Sequence, residues 1–204
     1  RILGENEIKE TNPQLVIDLG CGSSKLLNYI KTYNPSKYVG LDFDIHQLIK
    51  GVKRIESKFY NIKECEVIPF DLRTWNKHDL AWSSFDSSKK FDYIVANFSL
   101  AHFNTDIFWS SLESVCSEKT VLIFNVVNSN SMKRWESEDS YLYCDFDKIK
   151  YRFSEIHSQE MVEDYLSDGK INELAKKYNW NLTEKFTPEG YNLDSKYSWY
   201  IFKK

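Results

Sequence analysis

The sequence predicts an α/β fold: a doubly wound, mostly parallel sheet of seven strands with an antiparallel last strand. Short apolar runs alternate with segments of helical periodicity over the first two thirds of the chain, which is typical of strand–helix units joined by right-handed crossovers. Three of these runs end at an acidic residue or just before a glycine turn. Near the C-terminus, two strand-like runs follow one helical pattern, which predicts an antiparallel pair at the sheet edge.

The first two strand–helix units show the clearest pattern. Residues 16–19 form an apolar run and predict a strand, and residues 24–33 predict the helix that follows it. Residues 38–42 predict the second strand. Asp44 is then the expected cap of a helix that continues to about residue 57, with apolar residues at helical spacing.

The next units follow the same alternation. The third strand is predicted at residues 66–70, just before Asp71, and a polar stretch at 74–90 is expected to contain a helix and a loop. Residues 91–96 predict the fourth strand, which would be buried in a parallel sheet. A helix at 106–115 and a fifth strand at 120–125 follow.

The last third of the chain has a different pattern. Residues 128–143 are polar and are expected to be irregular, and the alternating residues 141–153 predict an inserted hairpin. An amphipathic helix is expected at 162–178, followed by strands at 179–186 and 197–202. The 204 residues fit one domain, 1–204, with the region 126–160 as an insertion that contributes to an acceptor pocket.

Composition excludes several function classes. The net charge is −3 and the pI about 5.9, so no global basic field attracts nucleic acid, and DNA is not an expected partner. The four cysteines and four histidines show no metal-ligand spacing, so no metal is expected and the thiols are expected to be reduced. No apolar run has the length of a membrane span, and no signal peptide is visible. We therefore expect a cytoplasmic protein.

Residues 16–22, V-I-D-L-G-C-G, are the most informative stretch. A strand, a glycine turn and a helix start form the layout of a nucleotide-cofactor site. Lys25 stands where a dinucleotide-binding loop has its third glycine, and Asp18 would repel a pyrophosphate but suits a ligand that carries an ammonium group. S-adenosylmethionine (SAM) is such a ligand. The alternative from this stretch alone is a strand–turn–helix that binds nothing.

Acids at the ends of three successive strands narrow the ligand to SAM. We expect Asp18 to face the methionine ammonium group and Asp42 to accept from both ribose hydroxyls. Asp71 could accept from the adenine amino group, with Leu72 covering the ring. Any one of these acids alone is better explained as a solvated loop carboxylate. Three acids, each at the carboxyl end of a successive predicted strand, are not explained in that way. The predicted cofactor-binding residues are Asp18, Gly20, Cys21, Gly22, Asp42, Phe43, Asp71, Leu72, Asn97 and Phe98.

The glycine stretch resembles motif I of class I SAM-dependent methyltransferases, which share the Rossmann-like fold predicted above. The segment after the fourth strand, residues 97–103, lacks the Asn/Asp-Pro-Pro-Tyr/Phe sequence of exocyclic amino methyltransferases. It resembles instead the Gln-Phe-Ala-Leu-His-Tyr segment of mRNA cap guanine-N7 methyltransferases from large DNA viruses. Asn97 takes the position of the family's Gln, Phe98 that of its Phe and Leu100 that of its Leu. Ala101-His102 stands where the family has His-Tyr, so either the pair is altered or His102 is the family histidine displaced by one residue.

Two further segments, nearer the C-terminus, also resemble this family. Gln159-Glu160, before a predicted helix, resembles the family's Pro-Glu-Tyr/Phe-Leu element, and residues 197–204 resemble its terminal Leu-Tyr-x-x-Phe-x-Phe strand. The resemblance implies that Glu160 holds the guanine and that Tyr197 lines the cap pocket. His102 and Phe103 are the other predicted acceptor residues, with Tyr197 or Phe103 stacking on the base.

The implied reaction needs no general base, because guanine N7 carries a lone pair and no proton. The task of Glu160, Tyr197 and His102 is then positioning, and no residue is predicted to act as a catalytic acid or base. The implied partners are the capped 5′ end of mRNA and the triphosphatase and guanylyltransferase domains of a larger capping enzyme, whose C-terminal part this chain would be. Two alternatives stay open: a methyltransferase for a small-molecule or protein acceptor, and a degenerate methyltransferase fold serving as a scaffold subunit.

Overall fold

The structure, a computed structural model, describes residues 15–30, 35–58, 62, 64–75, 90–127, 135–137, 140–145, 148–152, 160–189 and 196–204. Predictions for residues 1–14, 31–34, 76–89, 128–134 and 159 lie outside this part. The strands are β1 (Leu15–Leu19), β2 (Lys37–Asp42), β3 (Glu64–Pro69), β4 (Tyr93–Ala96), β5 (Val121–Val127), β6 (Trp135–Ser137), β7 (Ser140–Asp145), β8 (Lys148–Arg152), β9 (Met161–Asp164), β10 (Asn181–Phe186) and β11 (Tyr197–Lys203).

The described helices lie between these strands. They are α1 (Leu27–Ile30), α2 (Ile45–Lys58), α3 (Leu100–Phe103), α4 (Asp106–Leu112) and α5 (Asp168–Lys177), with 3-10 turns at Leu72–Thr74 and Glu113–Val115. The predicted Asp44 cap of α2 is confirmed, since its Oδ1 atom accepts from the backbone N–H groups of His46 at 2.9 Å and Gln47 at 3.2 Å. None of the described helices is long and apolar enough to cross a membrane.

Seven strands form the main sheet in the order β10-β11-β5-β4-β1-β2-β3. Strands β1 to β5 pair in parallel, and β11 runs antiparallel to both β5 and β10. The predicted fold class and the antiparallel pair at the edge are therefore confirmed. The chain winds outward from β1 to β3 and then returns to place β4 on the other side of β1, so the strand order reverses between β1 and β4. Ligands of open α/β sheets bind at this switch point, beside the carboxyl ends of the strands.

The central strands β1, β4 and β5 of the main sheet are buried on both faces, as continuous apolar runs in parallel strands require. Successive β1 residues alternate between the two cores: Val16 packs on one face, and Ile17 and Leu19 on the other. The ends of β1 are thereby held rigidly, and the loop that leaves Leu19 starts from a fixed position.

A second sheet of four antiparallel strands has the order β6-β7-β8-β9. The pair β7 and β8 confirms the hairpin predicted at 141–153. The helix predicted at 162–178 is wrong over its first turns: Met161–Asp164 pairs with β8 as β9, and the helix begins at Asp168 after a Ser167 cap. Residues 161–164 form a strand because their backbone groups pair with the edge of β8. The single domain over 1–204, with its insertion at 126–160, stays a prediction.

Candidate active site

The loop after β1 is built on two glycines in left-handed backbone conformations. Gly20 has φ +69° and Gly22 has φ +51°, values at which a side chain is strained. The loop is tied to β2 by two hydrogen bonds: Cys21 N–H donates to the Leu41 carbonyl at 2.9 Å, and Gly22 N–H donates to Asp42 Oδ2 at 2.8 Å. The sequence places the loop and the second acid 20 residues apart, and the structure brings them into contact.

The two glycines serve different purposes. A Cβ atom on Gly20 would lie 2.5 Å from the Cβ of Ser99, so this glycine is required by the protein itself. A Cβ atom on Gly22 would meet nothing within 4 Å. Of the two glycines predicted to bind the cofactor, Gly22 is the position where a ligand can approach the backbone.

Cys21 points away from this open side. Its thiol is buried against β2, where the Sγ atom would lie 2.8 Å from a Cβ atom on Gly40. Burial, and next the negative charge of Asp18, raise the pKa of the Cys21 thiol far above its ordinary value. The predicted cofactor role of Cys21 is therefore restricted to its backbone.

Asp18 lies beneath the loop rather than on its surface. Its carboxylate is buried and accepts a hydrogen bond from the Tyr38 hydroxyl at 2.8 Å. Burial raises the pKa of Asp18 to about 7, with a further increase from the charge of Asp42 and an opposing effect of the Tyr38 hydrogen bond. The predicted contact with a ligand ammonium group stays a prediction. In this structure the carboxylate's partner is Tyr38.

Asp42 ends β2 and Phe43 follows it, on the open side of the glycine loop. Asp42 Oδ1 accepts from the Asp44 N–H at 2.8 Å while Oδ2 accepts from Gly22, which fixes the carboxylate and leaves lone pairs for further donors. Phe43 is 63% exposed, and the Arg73 guanidinium lies 5.2 Å from its ring centroid. An exposed aromatic ring beside a fixed acid suits a nucleoside, with the acid at the sugar and the ring at the base.

Asp71 follows β3 at the same edge and is already paired. Its Oδ1 accepts from Arg73 Nε at 2.8 Å and its Oδ2 from Arg73 Nη2 at 2.7 Å. The hydrogen bonds from the Arg73 side chain hold the pKa of Asp71 below its usual range. An adenine amino group would share this carboxylate with Arg73. Leu72 is buried in the main core, so the expectation that it covers the ring is wrong.

The segment after β4 has an unusual backbone. Phe98 has φ +58°, and its N–H donates to Asn125 Oδ1 at 2.6 Å. Asn125 Nδ2 donates to Asn97 Oδ1 at 3.0 Å, and the hydroxyl of Ser99 donates to the Leu19 carbonyl at 2.6 Å. The segment is thereby held against both the glycine loop and β5.

The aromatic residues near the predicted acceptor site differ in how far they are exposed. Phe98 is 39% exposed and meets Tyr197 edge to face, with centroids 4.4 Å apart, while Tyr197 is only 6% exposed. Phe103 is buried against Phe108 at 4.8 Å. The buried Phe103 and Tyr197 therefore do not offer the ring faces that the predicted stacking on an acceptor requires. Of these three aromatic residues, Phe98 is the one that reaches the surface. His102 is half-buried on α3.

Glu160 is exposed and immediately precedes β9, not a helix as predicted. Its Oε2 atom accepts from the Tyr141 hydroxyl at 2.5 Å. Strand β9 lies against α3, the element that carries His102. The second sheet thus brings an exposed carboxylate to the side of the main sheet that holds the segment after β4.

The structure therefore groups the predicted residues in two sets at one sheet edge. Gly22, Asp42 and Phe43 form an open cradle that fits a nucleoside-type cofactor, because a Cβ atom on Gly22 meets only free space. Phe98 lies on the neighbouring segment. Within the described part of the chain, no three His, Cys, Asp or Glu side chains are grouped to hold a metal ion.

Sequence reasoning missed four residues that shape this site: Tyr38, Arg73, Ser99 and Asn125. Asn125 gave a signal, since it is a polar residue inside the apolar run of β5. Such a residue in a strand buried on both faces must find a hydrogen-bond partner. Nothing in the sequence marks the other three.

Residues 12–184 match the family model described as Methyltransferase domain. No curated protein sequence matches the chain significantly. Among solved structures, it is similar to a S-adenosylmethionine-dependent methyltransferase from Clostridium acetobutylicum ATCC 824, with TM-score 0.68 and 15% identity over 97% of this chain and 87% of that one. The glycopeptide N-methyltransferase MtfA complexed with SAM gives TM-score 0.65 and 11% identity over 97% and 91% of the two chains.

A third similar structure is magnesium protoporphyrin IX methyltransferase from Synechocystis PCC 6803 with bound SAM. The TM-score is 0.62 and the identity 11%, over 97% of this chain and 74% of that one. At these identities the similarity concerns the fold.

Proposed function

Because the chain belongs to the methyltransferase domain family, we propose that it is a SAM-dependent methyltransferase whose cofactor lies against Gly22, Asp42 and Phe43. The observation that carries this proposal is the hydrogen bond from Gly22 N–H to Asp42 at 2.8 Å, beside open space over Gly22. Two of the similar structures described above contain SAM, which supports the same cofactor here. SAM bound in this cradle would supply a methyl group on a sulfonium centre.

Each residue of the cradle has a definite task in this proposal. Asp42 is fixed by two backbone N–H groups, so its remaining lone pairs can accept from ribose hydroxyls without reorganisation. Phe43 offers an exposed ring to the base. Asp18 lies below the loop, where its negative form favours a cation above it and its neutral form does not.

For the acceptor we propose guanine N7 of the mRNA cap. Support comes from the resemblance of residues 97–103 and 197–204 to cap guanine-N7 methyltransferases and from the exposed carboxylate of Glu160. Guanine presents N1–H and a 2-amino group on one edge, and a carboxylate such as Glu160 can accept from both in a charge-assisted pair. N7 carries no proton, so the chain needs to hold the base but not to remove a proton from it.

An acceptor outside nucleic acid is the second candidate. The similar structures include methyltransferases described as acting on a glycopeptide and on magnesium protoporphyrin IX. Phe98 favours any planar acceptor, since an exposed aromatic ring stacks on flat molecules of many kinds. Glu160 distinguishes the candidates, because only the cap proposal requires a carboxylate that reads guanine.

The test has two stages. Calorimetric titration with S-adenosylhomocysteine (SAH) measures cofactor binding without an acceptor, and no binding would favour a scaffold role over an enzyme. Labelled SAM is then offered with GpppA, GTP or ATP. We expect 7-methylguanosine from GpppA, less from GTP and no product from ATP. Binding of SAH without transfer to GpppA would retain the methyltransferase and overturn the cap acceptor.

A further inference from the structure

Phe98 has a backbone conformation that its residue type disfavours. Its φ of +58° lies in the left-handed region, which a bulky side chain enters only at a cost in free energy. Strained residues of this kind persist where surrounding structure over-determines them, and they concentrate at functional sites. The question is what holds Phe98 in place and to what effect.

Asn125 supplies the restraint from the neighbouring strand. Its amide oxygen accepts from Phe98 N–H at 2.6 Å, and its amide nitrogen donates to the Asn97 side chain at 3.0 Å. Asn125 is 2% exposed and lies in β5 between Phe124 and Val126, which are both buried. A buried amide in an apolar strand is costly unless both ends are bonded, and the segment after β4 satisfies both ends.

The restraint determines where the Phe98 ring points. With the backbone at Phe98 turned into the left-handed region, the ring packs edge to face on Tyr197 with centroids 4.4 Å apart, and the residue stays 39% exposed. Ser99 anchors the other side of the segment through its hydrogen bond to the Leu19 carbonyl. The segment is thus anchored at the end of β1, while the Phe98 ring lies against Tyr197 and Trp199 of β11, on the opposite side of β1 from β2 and Asp42.

We infer that Asn125 is a positioning residue that locks Phe98 in its left-handed conformation, so that the Phe98 ring forms the wall against which a planar methyl acceptor lies. The acceptor part of this inference rests on the proposed function. Asn125 itself contacts no acceptor and acts through Phe98. This assigns Phe98 to the acceptor, where the sequence resemblance placed it among the cofactor residues.

Kinetics of four variants test the assignment. Asn125→Ala and Phe98→Ala should each raise KM for GpppA about tenfold, while SAH affinity stays within about twofold because the cradle is untouched. The double variant should be no worse than Phe98→Ala alone, since Asn125 acts through that ring. Val126→Ala is the control: it leaves a cavity in the same strand and destabilises the fold, but it should leave KM for GpppA unchanged.

Two kinetic results would overturn the inference. One is a wild-type KM in Asn125→Ala. The other is a KM increase in Val126→Ala equal to that in Asn125→Ala, which would make the effect one of general stability. If the wild-type protein prefers another acceptor of the panel, the same comparison is made with that acceptor.

A second measurement needs neither cofactor nor acceptor. Amide hydrogen exchange of Phe98 should accelerate at least about tenfold in Asn125→Ala relative to amides elsewhere in the main sheet, because its acceptor is removed. Unchanged exchange would show that Asn125 does not hold Phe98. Failure of the wild type to bind SAH, with accelerated exchange in the variant, would instead overturn the proposed function and leave the restraint standing.

Discussion

The Tyr38 hydroxyl donates a hydrogen bond to the Asp18 carboxylate at 2.8 Å, and both side chains are buried beneath the glycine loop. Burial raises the pKa of Asp18 from 3.8 to about 7, and the charge of Asp42 adds to this. Two neighbouring groups, Tyr38 and Cys21, have pKa values raised above the neutral range and stay protonated. With a pKa of about 7, Asp18 titrates near neutral pH.

This relationship makes the stability of the protein depend on pH. Between the unfolded pKa of 3.8 and the folded pKa of about 7, the folded state holds a proton that the unfolded state has released. The stabilisation is complete below the unfolded pKa and is lost as the pH rises through the folded pKa. Relative to Asp18→Asn, which keeps an acceptor for Tyr38 but cannot titrate, the wild type should lose on the order of 3 kcal/mol between pH 5 and pH 8.

Urea unfolding of both proteins at several pH values measures this difference. Parallel stability profiles for the wild type and Asp18→Asn would show that the buried carboxylate does not titrate in this range.

Alanine at the two loop glycines should separate folding from cofactor binding. Gly20→Ala combines a left-handed backbone with a 2.5 Å approach to Ser99, and should cost at least about 3 kcal/mol of stability. Gly22→Ala has open space and should cost only about 1–2 kcal/mol, yet its methyl group enters the cradle. Its SAH affinity should fall about tenfold or more. Thermal unfolding and calorimetry distinguish the two, and normal SAH binding by Gly22→Ala would place the cofactor elsewhere.

Asp42, at the end of β2, should be needed for cofactor binding, whereas the helix-capping acid Asp44 should not. Asp42→Asn loses one of the two backbone hydrogen bonds and the negative charge, so SAH affinity should fall about ten- to hundredfold. Asp44→Ala removes the cap of α2 and should cost about 1 kcal/mol of stability with little change in SAH affinity. The pair separates a ligand contact from a helix cap, and equal losses of affinity in both variants would point to an indirect effect through α2.

Glu160 carries the guanine part of the proposal. Glu160→Gln can no longer accept from both N1–H and the 2-amino group, so KM for GpppA should rise about tenfold or more while SAH affinity is unchanged. Glu184→Gln, on the exposed edge strand β10, is the matched control and should behave as the wild type. If the two glutamine variants have the same KM, Glu160 does not read the acceptor.

The sequence was sufficient for the main sheet because each of its strands carries its own signal. Apolar runs such as 16–19 and 38–42 end at glycine or acidic residues, and this local chemistry predicts both the strand and its edge. Strand β9 carries no such signal. Residues 161–164 fit the start of an amphipathic helix, and only pairing with the edge of β8, the preceding strand in the chain, makes them a strand.

The same distinction holds within the site. Acids and glycines were predictable because their chemistry differs from that of a core. Leu72 and Phe103 were not, since an apolar residue after a strand has the same sequence signal whether it covers a ligand or fills the interior, and both fill the interior. Tyr38 and Ser99 take their roles from contacts across the fold, with Asp18 at 2.8 Å and with Leu19 at 2.6 Å.

The contact between Gly20 and Ser99 also constrains how this protein can diversify. Ser99 fills the space that a side chain at position 20 would occupy and anchors its own segment on Leu19. A larger residue at position 20 is therefore blocked until position 99 becomes smaller, whereas Gly20 cannot become smaller to admit a larger residue at position 99, so the two sites are expected to be inherited as a pair. Directed evolution toward new acceptors would accordingly keep Gly20 and Ser99 fixed and diversify Phe98, His102 and Glu160 instead.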